Sequence, residues 1–277
     1  MDTIEELLFQ LDNKVSENKI KTNKIDKYIY IYALEPDELK ELVSINWNDG
    51  IILEGLIKAF SSNSKYKKDK IALLAYVSDN TDIKNDEAKI SSCASVIKCI
   101  DDFRGDIKCL TEIVEKIVNS KTDEGARTAK YIVKEFIDFL NEEDYSEETM
   151  RNLRIRLSEI VGFVTRAEEE YKIKAIKEVV DVYPKEKVGT TCGLVYGIAQ
   201  TKNKAQSDAI VDIVNSKDME SKGLVLKASL YASKLEEDDL VRMNQFIYSA
   251  NNMSELQAND EMDDIINRGK SVQRKIK

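Results

Sequence analysis

The sequence predicts an all-α protein, an α-solenoid of stacked antiparallel helical hairpins, and three observations lead there. Apolar residues recur at three- and four-residue spacing along almost the whole chain, the pattern of helices with one buried face. Chain breakers are scarce: 10 Gly and 2 Pro in 277 residues leave little material for the tight turns of a strand-rich fold. One stretch of sequence also recurs further along the chain, as repeated structural units would require. The alternative expectation is a compact helical bundle without repeats, in which the recurrence is coincidental.

Helices are expected near 3–16, 24–34, 36–45, 48–62, 66–79, 85–102, 105–120, 122–141, 146–164, 166–183, 185–200, 204–216, 219–235, 237–250 and 254–268. Within 24–34 the alternation of Tyr28, Tyr30 and Tyr32 with Ile29 and Ile31 would also suit a half-buried strand, but no partner strand is visible. Between Thr122 and Asn141 the pattern is plainest. Ala126, Ala129, Val133, Phe136, Ile137 and Leu140 form one stripe, with Lys130, Lys134, Glu135 and Asp138 outside it. Three pairs, Thr3 with Glu6, Thr165 with Glu168 and Ser254 with Gln257, have the spacing of a capping box, in which a hydroxyl and a third-position acid or amide satisfy free backbone N–H groups. Pro36 and Pro184 suit first helical positions, where the missing N–H costs nothing.

Short polar connections force consecutive helices to run antiparallel. The recurring stretch is Ile113-Val-Glu-Lys-Ile-Val-Asn-Ser-Lys121, echoed by Ala209-Ile-Val-Asp-Ile-Val-Asn-Ser-Lys217 with Ile117 on Ile213. Leu140-Asn-Glu-Glu-Asp144 then pairs with Leu235-Glu-Glu-Asp-Asp239, out of step by one residue. A two-helix unit repeated in this way resembles the HEAT and armadillo solenoids. The resemblance is one of pattern and carries no consensus residues. It implies an N-terminal helical segment over 1–45, a helical-repeat domain over 46–268 and a basic tail over 269–277.

Composition excludes several chemistries. The chain has no histidine, which removes imidazole as base, metal ligand or nucleophile activator. No glycine-rich phosphate loop and no kinase signature is present. Cys93, Cys99, Cys109 and Cys192 form no C-x-x-C pair and sit in apolar helical patterns, so they read as reduced packing residues rather than a zinc site. No cofactor is expected. Carboxylates are so numerous that no pair stands out for hydrolysis. The opening Met1-Asp-Thr-Ile-Glu-Glu6 carries acids where an export leader needs a basic start. The best apolar run, Val188 to Ala199, is interrupted by three glycines and is too short to span a bilayer. A soluble cytoplasmic protein without a membrane partner is therefore expected.

A formal net charge of −9 disfavours general affinity for nucleic acid. Local positive charge remains at Lys65, Lys67, Lys68 and Lys70 around Tyr66, and in the segment Arg268 to Lys277. Acidic clusters occur at Glu142 to Asp144, Glu147-Glu148, Glu168 to Glu170, Glu236 to Asp239, and Asp260 to Asp264. They suit solvated helix starts, and together they could also form a negative strip for a basic partner. Gly189, Gly193 and Gly197 line one helix face at four-residue spacing. They read as a site of close helix approach, where Gly193→Leu would be severely destabilising, or as the floor of a partner groove. Trp47, beside Asp49, is either a core anchor or a surface hot spot; the pair also bears a thin likeness to the aromatic-acid pair of helical-repeat glycosylases. Missing catalytic apparatus on a repeat scaffold points to a non-enzymatic adaptor, scaffold or inhibitor that binds another protein. A nucleic-acid binder is the alternative, and a carboxylate-dependent hydrolase or glycosylase comes third.

Overall fold

Helices whose apolar residues fall on one side can be satisfied only by packing that side on neighbours, and the connections between them decide which neighbours. The computed structural model describes residues 65–275, apart from 83–84, 104–105, 143–144, 184 and 222. Among the described residues every regular element is helical and no strand occurs. The helices expected over 3–16, 24–34, 36–45 and 48–62, the Thr3–Glu6 box, Pro36, Pro184, Trp47 and Asp49 lie outside them.

The chain divides into two units, 1–144 and 145–277. In the first, α1 (Lys67–Asn80), α2 (Glu87–Lys98), α3 (Ile107–Val118) and α4 (Asp123–Glu142) pack with neighbours in sequence. Helix α2 lies against α1, α3 and α4. The stripe read from the sequence is the buried face of α4: Ala126, Ala129, Val133, Phe136 and Ile137 are all buried, while Lys134 and Asp138 are exposed. The face is wider than expected, because Ile132 and Phe139 are buried too. Side-chain caps open two of these helices. Asp106 accepts from the Cys109 N–H at 3.1 Å and Thr122 from the Gly125 N–H at 3.0 Å.

The second unit contains α5 (Glu147–Arg166), α6 (Glu170–Val182), α7 (Val188–Gln200), α8 (Lys204–Asn215), α9 (Lys217–Ser221), α10 (Val225–Ala232), α11 (Glu237–Ser249) and α12 (Glu255–Lys275). Helix α5 packs on α7, α6 on α8, α8 on α10 and α11, and α11 on α12. Ser146 and Asn203 cap α5 and α8 through the N–H groups of Thr149 and Gln206. Gln206 is itself buried and ties two turns together, accepting from the Lys202 N–H at 2.6 Å and donating to the Leu235 carbonyl at 2.8 Å. The recurring stretch occupies equivalent positions on α3 and α8. Ile113, Val114, Ile117 and Val118 are buried, as are Ala209, Ile210, Ile213 and Val214.

Several boundaries differ from those the sequence suggests. The Ser254–Gln257 box forms in full, with Gln257 N–H donating to Ser254 Oγ at 3.3 Å and Ser254 N–H donating to Gln257 Oε1 at 3.0 Å. The Thr165–Glu168 box does not form. Thr165 lies inside α5 and its hydroxyl donates to the Val161 carbonyl at 2.8 Å, while α6 starts later, after Glu169. The helix expected from 185 begins as a 3-10 turn, Lys185–Lys187, before α7. The helix expected to stop at 268 runs on to Lys275.

The helix expected over 219–235 is broken into α9 and α10 by Gly223 at φ 66°. Its N–H donates to the Glu220 carbonyl and that of Leu224 to the Met219 carbonyl, the paired bonds of a Schellman stop. No atom outside its chain neighbours would meet an added Cβ, so Gly223→Ala isolates the cost of a left-handed backbone in an L-residue. We expect a loss of about 1–2 kcal/mol in a urea titration; an unchanged midpoint would mean that the turn relaxes to another conformation.

Candidate functional site

The last hairpin of the second unit brings together two acidic stretches that are distant in sequence. Met253, between the 3-10 turn Ala250–Asn252 and α12, is extended, and so short a connection turns the chain back antiparallel. Asp239, near the start of α11, therefore faces the same cleft as Asp264, well along α12. The cleft has a volume of about 400 Å³ and is lined by Asp239, Arg242, Phe246, Glu261, Asp264 and Ile265, with Gln245 and Ser249 completing one wall. Phe246 is buried and Ile265 half-buried, so the floor is apolar and the rim charged. Arg242 stands 3.8 Å from Asp239 on the same helix. Asp263, on another side of α12, pairs with Lys227 of α10 at 2.7 Å, and Tyr231 of α10 donates to the Ile266 carbonyl at 2.8 Å. Those contacts fix α12 from behind.

The same hairpin also carries large apolar side chains in water. Val241 and Tyr248, seven residues apart on α11, are 54% and 81% exposed, and Leu256 on α12 is 72% exposed. Six large hydrophobic residues are exposed among the described residues, and half of them lie on this one hairpin. That concentration separates the hairpin from the scattered single exposures of any protein surface.

No family model, curated protein or solved structure matches the chain.

Among the described residues, those singled out in the sequence divide between the two units. Lys65 is exposed, with its ammonium 4.8 Å from the centre of the Tyr66 ring, and its pKa is raised by its contact with Tyr66. Lys67 and Lys68 occupy the first turn of α1. Lys70 is committed within the unit, pairing with Asp101 at 2.7 Å. The glycines do not form one seat. Gly189 is exposed and has nothing within 4 Å of an added Cβ; at Gly193 such an atom would lie 2.8 Å from Leu226 Cδ1; at Gly197 it would make ordinary contacts at 3.7 Å with Ile210, Leu230 and the Ser229 carbonyl. The helix axis carries successive members of the stripe into α10, so only the last two meet it.

The cysteines are free thiols, with Cys93, Cys109 and Cys192 buried and Cys99 half-buried. Cys192 donates to Glu159 Oε2 at 3.2 Å, and the same oxygen accepts from Arg156 at 2.7 Å. Burial first, then that carboxylate, push the thiol pKa up to about 12. It is a packed thiol and a poor nucleophile. Because the folded state holds this proton more tightly than the unfolded state, the contribution is intact below the ordinary value near 9 and is lost as pH rises towards 12. A thiol-reactive dye at pH 8 should therefore label Cys192 slowly in the native chain and rapidly in urea, as read by mass spectrometry of the labelled peptide. Rapid native labelling would contradict the packing. Among the described residues no group of three or more His, Cys, Asp or Glu could hold a metal ion, and no helix is long and apolar enough to cross a membrane.

Proposed function

We propose that the chain is a non-enzymatic adaptor, scaffold or inhibitor that binds another protein through a surface of stacked helical hairpins. The observation that carries this reading is the concentration of exposed large apolar side chains, Tyr248, Leu256 and Val241, on the α11–α12 hairpin, which also holds a charged cleft. Apolar anchors next to a charged rim are the arrangement of protein interfaces. The stacked-hairpin reading draws on the serial packing of α5 to α8 and on the matching buried positions of α3 and α8. A stack of that kind offers a broad face whose residues come from many turns, which suits partner binding better than the enclosure of a small substrate.

The test uses Tyr248→Ser with Leu256→Ser. Both side chains are exposed, so the double variant should fold as the parent does, with circular dichroism and melting unchanged. Quantitative affinity capture from native lysate should recover a specific partner with the parent chain and lose most of it with the variant. Equal recovery by both chains, or no specific protein in repeated captures with the parent, would overturn the reading.

A further inference from the structure

Helices α5 and α7 lie side by side and run in the same direction. Cys192 donates to Glu159 at 3.2 Å, and one turn later Phe163 meets Tyr196 edge to face with ring centres 5.8 Å apart. Both contacts join residues 33 apart, and an offset that stays constant along two helices means that they are parallel. On α5 the positions Glu148, Asn152, Ile155, Glu159, Phe163 and Arg166 follow one another at three and four residues, so they form one stripe. Every one of them is exposed or half-buried. Ile155 is 46% exposed, and Tyr196, alongside on α7, is 48% exposed.

Charge along this stripe reverses about its middle. Glu148 stands at the start and Arg166 at the end, while nearer the centre Arg156, at the edge of the stripe, precedes Glu159 and pairs with it at 2.7 Å. Turned end for end, the stripe presents a guanidinium wherever it had a carboxylate. Arg166 then falls opposite Glu148, and Glu159 opposite Arg156, with a midpoint close to Leu157 for both pairs. A helix face that is to meet its own copy across a two-fold axis needs this arrangement. A face of one sign would repel itself, as would the chain at large with its formal charge of −9.

We propose that the α5–α7 face docks on the same face of a second copy of this chain, with the two α5 helices antiparallel about an axis close to Leu157. The two Arg156–Glu159 pairs then meet as four alternating charges, and Glu148 of each copy faces Arg166 of the other. Ile155, Phe163 and Tyr196 supply the apolar contact. At 1.5 Å per residue α5 is about 30 Å long, and with α7 beside it the face offers roughly 500 Å² on each copy. A total of about 1,000 Å² stands at the lower bound of specific interfaces, so the dimer is weak. The contact is isologous and closes at two copies. It shares no residue with the α11–α12 hairpin, so it goes beyond the partner surface proposed there.

Sedimentation velocity of the full chain, from about 1 to about 200 µM, tests it. The mass should rise from the monomer towards the dimer and no further. Arg166→Glu should weaken association about tenfold, because two carboxylates then face each other at both ends of the contact, and Glu148→Arg should do the same with two guanidinium groups. Both side chains are exposed, and circular dichroism and melting check that each variant folds. The chain carrying both substitutions should associate like the parent. Within one molecule the two positions lie 18 residues, about 27 Å, apart on a single helix, so recovery can come only from contact between copies. A parent that stays monomeric throughout, assemblies that grow past the dimer, single variants that associate like the parent, or a double variant as weak as either single would each overturn the proposal. A monomeric parent leaves the Tyr248 and Leu256 test untouched.

Discussion

Phe136→Ala is expected to lower stability by about 3–5 kcal/mol. Phe136 is fully buried on α4, in the middle of the face that packs on α2. Truncation to alanine removes a ring from that contact and leaves a void which the surrounding helices can close only in part, so the lost burial and the cavity add. Urea unfolding followed by far-UV circular dichroism measures it, with Lys134→Ala, on the exposed face of the same helix, expected to stay within about 0.5 kcal/mol of the parent. A loss below about 1 kcal/mol for Phe136→Ala, the range of ordinary surface changes, would show that α4 does not form the centre of the first unit.

Periodicity alone makes α4 legible, because its apolar residues fall at i, i+3 and i+4 and its charges fall between them. The same rule understates its width. Ile132 and Phe139 continue the three-residue steps from Ala129 and Phe136, and both are buried, as suits a helix packed on more than one neighbour. Caps are less legible. Thr165 and Glu168 have the spacing of a helix start, yet Thr165 lies within a helix that still has apolar residues to bury, including Val161 and Val164, and tertiary packing carries α5 through the local signal. Ser254 has no such competition, and its box forms.

Gly223 is the opposite case, a stop whose signal is present but masked by the period around it. Apolar spacing continues across Met219, Leu224, Val225 and Ala228, so the period alone reads one helix. The glycine after a basic residue, which permits a left-handed backbone, is what breaks it. The cleft is partly legible. Two of its walls are the acidic clusters at Asp239 and at Glu261 with Asp264, both visible as charge runs. Their meeting across a short turn, and the exposure of Tyr248 on the same hairpin, depend on where α12 comes to rest on α10 and α11, which no local pattern encodes.

The glycine stripe of α7 gives a graded set of outcomes. Gly197→Ala should raise stability by about 1 kcal/mol, because the new methyl group makes ordinary contacts at 3.7 Å and the helix loses its glycine penalty. Gly197→Leu should instead cost about 3 kcal/mol, since Gly197 is buried and the further carbons press on the backbone of α10 at Ser229, which cannot move aside as a side chain can. Spacing alone makes Gly193→Leu the severe substitution, whereas the packing of α7 leads us to expect the larger loss at Gly197. At Gly193 an added Cβ would lie only 2.8 Å from Leu226 Cδ1, but that atom is the tip of a half-buried, flexible side chain that can swing away, so a loss of about 1–2 kcal/mol is expected. At Gly189, open to solvent, leucine should cost nothing. Melting temperatures of the four variants check the order. If Gly193→Leu proves more damaging than Gly197→Leu, then Leu226 is held rigidly and the approach of α10 to α7 is closest at Gly193.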